Sequence, residues 1–512
     1  MGTRLLALDQ GTTSSRAMVV DEDGRVLGVG QHPLACHYPA PGWVEQDPEA
    51  IWATQLAAIR DALAAAGVEA AELRAIGIAN QRETTVVWDR ESGRAVAPAV
   101  VWQCRRSAPI CEALRAAGRE PLVRERTGLV LDPYFSASKL AWLLEHVPEV
   151  RRLADQGRLA FGTVDSWLLW KLSGGAVHRT DRTNAARTAL LDLCTGRFDP
   201  ELLALFGVPA SCLPEVVDSV GPLAETDPSV LGARVLVSGV AGDQQAALAG
   251  QACTEPGMAK ATYGTGAFVL LQTGPALPSS SHGLLGTLAW SLPGRRDHAL
   301  EGSVFVAGAV IQWLRDDLGL LERAEDSAPL AASVPDSGGL VLVPAFTGLG
   351  APHWDPAARG ALVGISRGAT RAHLARAALE AIAHQVRDVL VAMAEDLGGP
   401  PGVLRVDGGA ARNDLLLQLQ ADLLGVPVER PVVTETTALG AACLAALGAG
   451  LLPGPEAFAR FWRLERRFEP TTDEAERARA QATWQRALGR ARGWAGPATT
   501  TETDDNTGGG AR

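Results

Sequence analysis

Apolar positions along the chain fall into short unbroken runs that alternate with longer stretches of helical spacing, the pattern of an α/β protein. The first run, residues 4–8, reaches Asp9 and then the tract Gly11-Thr12-Thr13-Ser14-Ser15. A second apolar run extends to Val20, and Asp23-Gly24 would turn the chain into residues 26–29. That order predicts strand, tight turn, strand. Within residues 48–66, Ile51, Trp52, Leu56, Ile59 and Leu63 recur at helical spacing, and Gly67 supplies a stop. Residues 73–78 are expected as a buried strand that ends in Asn80-Gln81-Arg82-Glu83-Thr84-Thr85, with 86–88 as the next. Polar residues massed at the end of a buried strand stand where open α/β sheets place their ligands.

Near residue 240 the pattern begins again. Residues 234–238 predict a strand, 239–245 a polar turn and 246–250 the start of a helix. Residues 258–262, the turn Tyr263-Gly264-Thr265-Gly266 and residues 267–272 then echo 4–20. Two similar halves, each with a Gly-Thr hairpin, would grip a polyphosphate from both sides, although such turns are common enough for the echo to arise by chance. A third Gly-rich site, Asp407-Gly408-Gly409, lies between a predicted strand at 404–407 and a helix at 415–424. It suits a backbone that must let a flat or anionic ligand approach a helix N-terminus. Thr437 would open an Ala-rich helix, 455–494 read as further helix, and 497–512 as a polar, disordered tail.

A chain of 512 residues has the length for two or three domains. Its net charge of −11, without a dense basic run, argues against a nucleic-acid partner. Seven scattered cysteines, with no metal-ligand spacing, fit a reducing cytoplasm. The N-terminus lacks the form of a signal peptide, and Leu6 stands where a myristoylation motif needs Ser or Thr. The uncharged run 437–454 is about long enough for a bilayer, but its Ala/Gly content and lack of basic flanks favour a helix buried against a sheet, so no membrane span is expected.

The first turn offers clustered backbone N–H groups and the hydroxyls of Thr12, Thr13 and Ser14, which suit phosphate oxygens. Asp9 adds a hard oxygen ligand of the kind Mg²⁺ takes. A Thr/Ser hairpin with no ligand is the plain alternative. Three lysines, Lys139, Lys171 and Lys260, all lie outside any Gly-Lys-Ser/Thr context, and no Gly-x-Gly-x-x-Gly run occurs, which excludes a P-loop and the simplest dinucleotide site. Gly364-Ile-Ser366-Arg-Gly368 matches a hydrolase nucleophile elbow. The histidines after Ser366, His373 and His384, fall on the helix that follows it and cannot fold back to serve it.

The constellation resembles the glycerol kinases, within the wider group of carbohydrate kinases that share the actin-like ATPase fold. The resemblance covers about residues 4–470 and rests on literal runs, among them Leu8-Asp-Gln-Gly-Thr-Thr-Ser-Ser-Arg16, Asn80-Gln-Arg-Glu-Thr-Thr85, Val101-Trp-Gln-Cys-Arg-Arg106, Ala241-Gly-Asp-Gln-Gln-Ala-Ala247, Tyr263-Gly-Thr-Gly266 and Val406-Asp-Gly-Gly409. Tyr134-x-Ser136-x-x-Lys139-x-x-Trp142 and residues 360–380 look like the two signatures of the wider group, which accounts for the elbow.

The resemblance implies two actin-like (ribonuclease H-like) α/β domains with a ligand cleft between them. These would be residues 1–248 and 249–455, with C-terminal helices at 456–496 and the tail beyond. It implies that Thr12, Thr13, Ser14 and Arg16 meet the phosphates of ATP, with Thr265 answering from the other side. Gly308, Gln312, Gly409 and Asn413 would line the nucleotide site, and Asp9 would hold Mg²⁺. Arg82, Glu83, Tyr134, Asp243 and Gln244 would bind glycerol, with Trp102 and Phe268 against its carbon face and Asp243 as the base. Taken without the resemblance, Arg82-Glu83 would be a surface ion pair and Trp102 a core aromatic. A homodimer or homotetramer is expected.

Two features depart from the family. The stretch 226–233 lacks the Gly-Gly-Lys-Gly loop through which a sugar bisphosphate inhibits some members. No His lies between His178 and His282 to serve the phosphohistidine activation of others. The rival expectations are a kinase for another polyol or ketose, and a nucleotide-dependent scaffold of the actin or chaperone type.

Overall fold

The computed structural model describes residues 2–495; the tail expected at 497–512 lies outside the described residues. Two sheets organise the chain, and each grows from a hairpin. In the first, β1 (Arg4–Gln10) pairs antiparallel with β2 (Ser14–Asp21), and β2 with β3 (Val26–Pro33). Helix α1 (Pro48–Ala66) crosses this meander. Asp47 caps it by accepting from the Glu49 N–H, and Gly67 closes it in the left-handed conformation. The chain then enters β4 (Ala75–Asn80), parallel to β1. After a long insertion, β5 (Val220–Glu225) leads into β6 (Leu236–Gly242), which runs parallel to β4. The order is β5-β6-β4-β1-β2-β3.

Helix α2 (Asp243–Gly250) carries the chain to the second sheet. There β7 (Ala259–Tyr263) and β8 (Ala267–Gly274) form the hairpin, followed by β9 (Leu285–Leu292) and β10 (Arg295–Val304). Helices α3 (Gly308–Asp316) and α4 (Arg371–Leu397) precede β11 (Leu404–Asp407), α5 (Asp414–Leu424) and β12 (Val428–Pro431). The order is β9-β10-β8-β7-β11-β12, with one further strand at the edge. In both sheets an antiparallel set, three strands in the first and four in the second, continues into two strands parallel to the first strand of its hairpin. The hairpin echo in the sequence is therefore an echo of topology.

The two halves share a core. Helix α6 (Thr436–Gly448) packs on β6, β4 and β1 of the first sheet and crosses α2. A Cβ on Gly440 would lie 1.7 Å from the Ala246 carbonyl oxygen, so the two helices meet backbone to backbone at a point where no larger residue fits. The uncharged run 437–454 thus serves a helix buried by alanines, and among the described residues no helix is long and apolar enough to cross a membrane.

Two expectations on secondary structure are corrected. Residues 239–242 continue β6, and α2 begins at Asp243; four parallel-ladder pairings with β4 hold Gly239-Val-Ala-Gly242 extended. Residues 455–494 are not helical throughout. Leu464–Phe468 forms β13, an edge strand antiparallel to β12, before α7 (Glu474–Ala491). Its Glu-Arg-Arg centre has good helix propensity, and tertiary pairing overrides it. Residues 364–370 form a loop between the strand Ala361–Val363 and α4, so Ser366 does not sit on a tight elbow; His373 bonds Thr370 Oγ1 at 2.8 Å and His384 stacks on Trp484 at 5.0 Å. Neither histidine faces Ser366 as a base.

Candidate active site

The turn between β1 and β2 is closed by the Gly11 N–H on the Ser14 carbonyl, 2.9 Å. Two of its hydroxyls accept hydrogen bonds from within the chain: Thr12 Oγ1 from the Trp102 indole at 2.9 Å and Ser14 Oγ from Gln31 at 3.0 Å. A hydroxyl that already accepts keeps its own proton to donate, which suits an anionic oxygen. Thr13 is exposed at the tip. The β1–β2 register sets Asp9 opposite Arg16, and Arg16 also reaches Gln31 and, at 4.0 Å, Glu435. Burial pushes the Asp9 carboxyl up to about 6; Arg16 offsets part of this, while Asp243 and Glu435 add to it. Ionised Asp9 thus adds to a concentration of negative charge, the donor set for a hydrated divalent cation held largely by phosphates. Among the described residues no group of three or more His, Cys, Asp or Glu forms a ready metal cage.

At the ends of β4 and β6 lies a buried network of charges. Arg82 sits 3.1 Å from Asp243 and 3.9 Å from Glu83. It also makes a two-armed bond to Glu301 of β10, at 2.5 and 3.0 Å. Arg187 completes the set, 2.6 Å from Glu83 and 3.0 Å from Glu301. Burial opposes ionisation of Glu301, yet Arg187 and Arg82 hold its carboxyl down to about 2. Glu83 has φ 59°, a left-handed backbone uncommon for a residue with a side chain and a mark of functional sites. Asp243 opens α2 and is partly exposed to the cleft. Gly242 before it admits Arg82, whose Cδ would lie 2.6 Å from a Cβ there.

The walls above this network are aromatic. Trp102 stands edge-on to Tyr134, 5.5 Å between centroids, and to Phe268 at 6.4 Å. Burial raises the Tyr134 phenol far above its ordinary range, with Glu83 adding to the effect, so it remains a donor. Gln244 accepts from the ammonium of Lys260 on β7. All seven residues named from the sequence for a small polyol meet here, around a short apolar edge.

The opposite rim belongs to the second half. The Gly264 N–H bonds the Gly266 carbonyl at 2.9 Å, and Thr265 is exposed at the tip. The Thr265 carbonyl accepts from Ala307 and Ala309 at 2.8 and 3.0 Å, which ties this turn to the N-terminus of α3, where Gly308 and Gln312 lie. Asn413 caps α5 by accepting from Leu416, and Gly409 is exposed in the turn that leads to it. Backbone N–H groups and two helix N-termini converge there, an arrangement for anions.

Sequence reasoning missed Glu301 and Arg187. Glu301 lies in a strand, Arg295–Val304, that carries several other charged residues, and neither it nor Arg187 carried a local signal.

A nucleotide-type cleft between two echoing α/β halves, with a buried polar pocket at its base, defines a kinase of the actin-like class. Residues 4–250 match the N-terminal domain, and 259–449 the C-terminal domain, of the FGGY family of carbohydrate kinases, and the chain belongs to that family. Within it the similarity is to glycerol kinases. The chain is 60% identical over 490 residues to the glycerol kinase of Aromatoleum aromaticum, covering 96% of this chain and 99% of that one. It is 56% identical over 491 residues to that of Symbiobacterium thermophilum, covering 96% and 99%. The crystal structure of Plasmodium falciparum glycerol kinase with ADP superposes with a TM-score of 0.90 at 30% identity, covering 96% of this chain and 98% of that one.

Proposed function

We propose that the chain transfers the γ-phosphoryl group of ATP to a terminal hydroxyl of glycerol, giving sn-glycerol 3-phosphate and ADP. The observation that carries this reading is the position of Trp102. Its ring forms a wall with Tyr134 and Phe268, while its indole N–H bonds Thr12 in the phosphate turn at 2.9 Å. The polyol pocket and the phosphate site therefore share a side chain, and two ligands placed in them would meet.

In this reading Arg82, Glu83, Tyr134, Asp243 and Gln244 satisfy the three hydroxyls, and Asp243 takes the proton of the attacking one. Arg82, 3.1 Å away, fixes its direction. Thr12, Thr13, Ser14, Arg16 and Thr265 hold the phosphates, with Gly308, Gln312, Gly409 and Asn413 around the nucleoside. Phosphoryl transfer asks the protein chiefly for alignment and charge stabilisation, and the paired hairpins supply both. Mg²⁺ at Asp9 would neutralise charge on the phosphates. Closure of the halves would exclude water, which otherwise competes as acceptor. The proposed division at 248/249 falls near the end of α2, and the seven free cysteines suit the cytoplasm. A coupled ADP-release assay across glycerol, erythritol and pentuloses tests the assignment: glycerol should lead in kcat/KM, and a ketose that outperforms it would overturn the reading.

A further inference from the structure

Arginine supplies all but three of the 47 basic side chains of this chain, yet two of the three lysines, Lys139 and Lys260, are fully buried. A buried ammonium is costly unless it has a task, and a methionine of similar length would pack in its place without that cost. Lys260 lies on β7, in the second half. Its Nζ donates to Thr262 Oγ1 at 2.8 Å and, across the boundary between the halves, to Gln244 Oε1 on α2. Among the described residues it forms no ion pair.

An ammonium only donates, so this contact fixes which end of the Gln244 amide is oxygen. The amide oxygen is held by Lys260, and the NH₂ end, which bonds no protein acceptor among the described residues, is left as a donor. Gln244 directly follows Asp243, to whose Oδ1 it gives its backbone N–H at 2.7 Å. A planar guanidinium has five donors spread over a fork, too broad for a task that needs one compact cation between two acceptors.

We propose that Lys260 is a positioning residue for the acceptor substrate: from the second half it locks the Gln244 amide so that its NH₂ group faces the polyol. This rests on the reading that Gln244 contacts glycerol, and the experiment separates the two. Glycerol KM, kcat, ATP KM and the melting temperature are measured for the full chain and for Lys260→Met, Gln244→Ala and the double variant. Each single variant should raise glycerol KM by about 10-fold, roughly one hydrogen bond, with ATP KM changed by no more than about 2-fold. The double variant should be no worse than Gln244→Ala, because Lys260 acts through that amide.

Unchanged glycerol KM in Gln244→Ala would overturn the placement of Gln244 and the inference with it. A raised KM in Gln244→Ala beside an unchanged one in Lys260→Met would overturn the inference alone, as would effects that multiply in the double variant. Should Lys260→Met fail to fold, Gln244→Glu decides. Its carboxylate keeps a partner for Lys260 but lacks the NH₂ donor, so glycerol KM should rise without loss of melting temperature, and an unchanged KM would overturn the proposal.

Discussion

The two ends of the cleft are built from different materials. At its base, the proposed polyol site is framed by side chains: Arg82, Arg187, Glu83 and Glu301 are buried, come from both halves, and pair with one another at 2.5–3.9 Å. At its rim, the proposed phosphate site is built of backbone: exposed Gly-Thr turns and helix N-termini, with one hydroxyl at each tip. The contrast follows from what each end must hold. A phosphate chain is highly charged and flexible, so fixed N–H dipoles suffice. A small triol offers only hydroxyls and an apolar edge, so selection needs directed donors and acceptors set in a rigid frame. Thr12 is the exception, since it belongs to the rim and also accepts from Trp102 in the pocket wall.

Substitutions can break this contrast. The largest effect is expected at Asp243, where Asp243→Asn keeps shape but cannot take a proton, so turnover should fall by about 10² to 10⁴. Calorimetry should show glycerol binding far less changed; equal losses in binding and turnover would make Asp243 a structural carboxylate. Next is Glu301→Gln, which leaves Arg82 and Arg187 buried beside a neutral group. Removing one member of a buried charge set costs about 3–5 kcal/mol, so denaturant unfolding should show that loss along with weakened glycerol binding. A stable variant with normal affinity would mean that the frame is not needed.

A smaller effect should distinguish the two turns. Thr265→Ala should weaken ATP use by about 10-fold, one hydrogen bond to a charged group, and spare glycerol affinity, whereas Thr12→Ala should disturb both through Trp102. Identical profiles for the two variants would remove Trp102 as the link. The smallest concerns Asp9. Its folded-state carboxyl, at about 6, lies above the ordinary unfolded value of about 3.9. Its contribution to stability is present below the unfolded value and lost as pH rises through about 6. Without nucleotide, Asp9→Asn should therefore melt a few degrees above the parent at neutral pH, with the gap closing in acid. A lower melting point at neutral pH would contradict it.

The same contrast decides what could be read from the sequence. Turn chemistry is local, so both hairpins and the stop of α1 at Gly67 stood in the order of Gly, Thr and apolar residues. The charged frame is not local. Arg82 and Glu301 are 219 positions apart, and Arg187 lies 104 and 114 from its partners. No spacing rule pairs such residues before the fold does. The roles proposed for Tyr134 and Trp102 came from resemblance; by itself Trp102 reads as a core aromatic. Strand β13 was lost because Glu and Arg favour helix until an open sheet edge pairs them.

The central claim is that the base of the cleft takes the triol and the rim delivers a phosphoryl group to it. The most direct test follows the purified full chain with ATP and Mg²⁺, with and without glycerol, and assays ADP and glycerol 3-phosphate together. The account predicts little ADP without glycerol, and on its addition a large rise matched mole for mole by glycerol 3-phosphate. ATP turnover that is indifferent to glycerol, with no phosphorylated product, would contradict it.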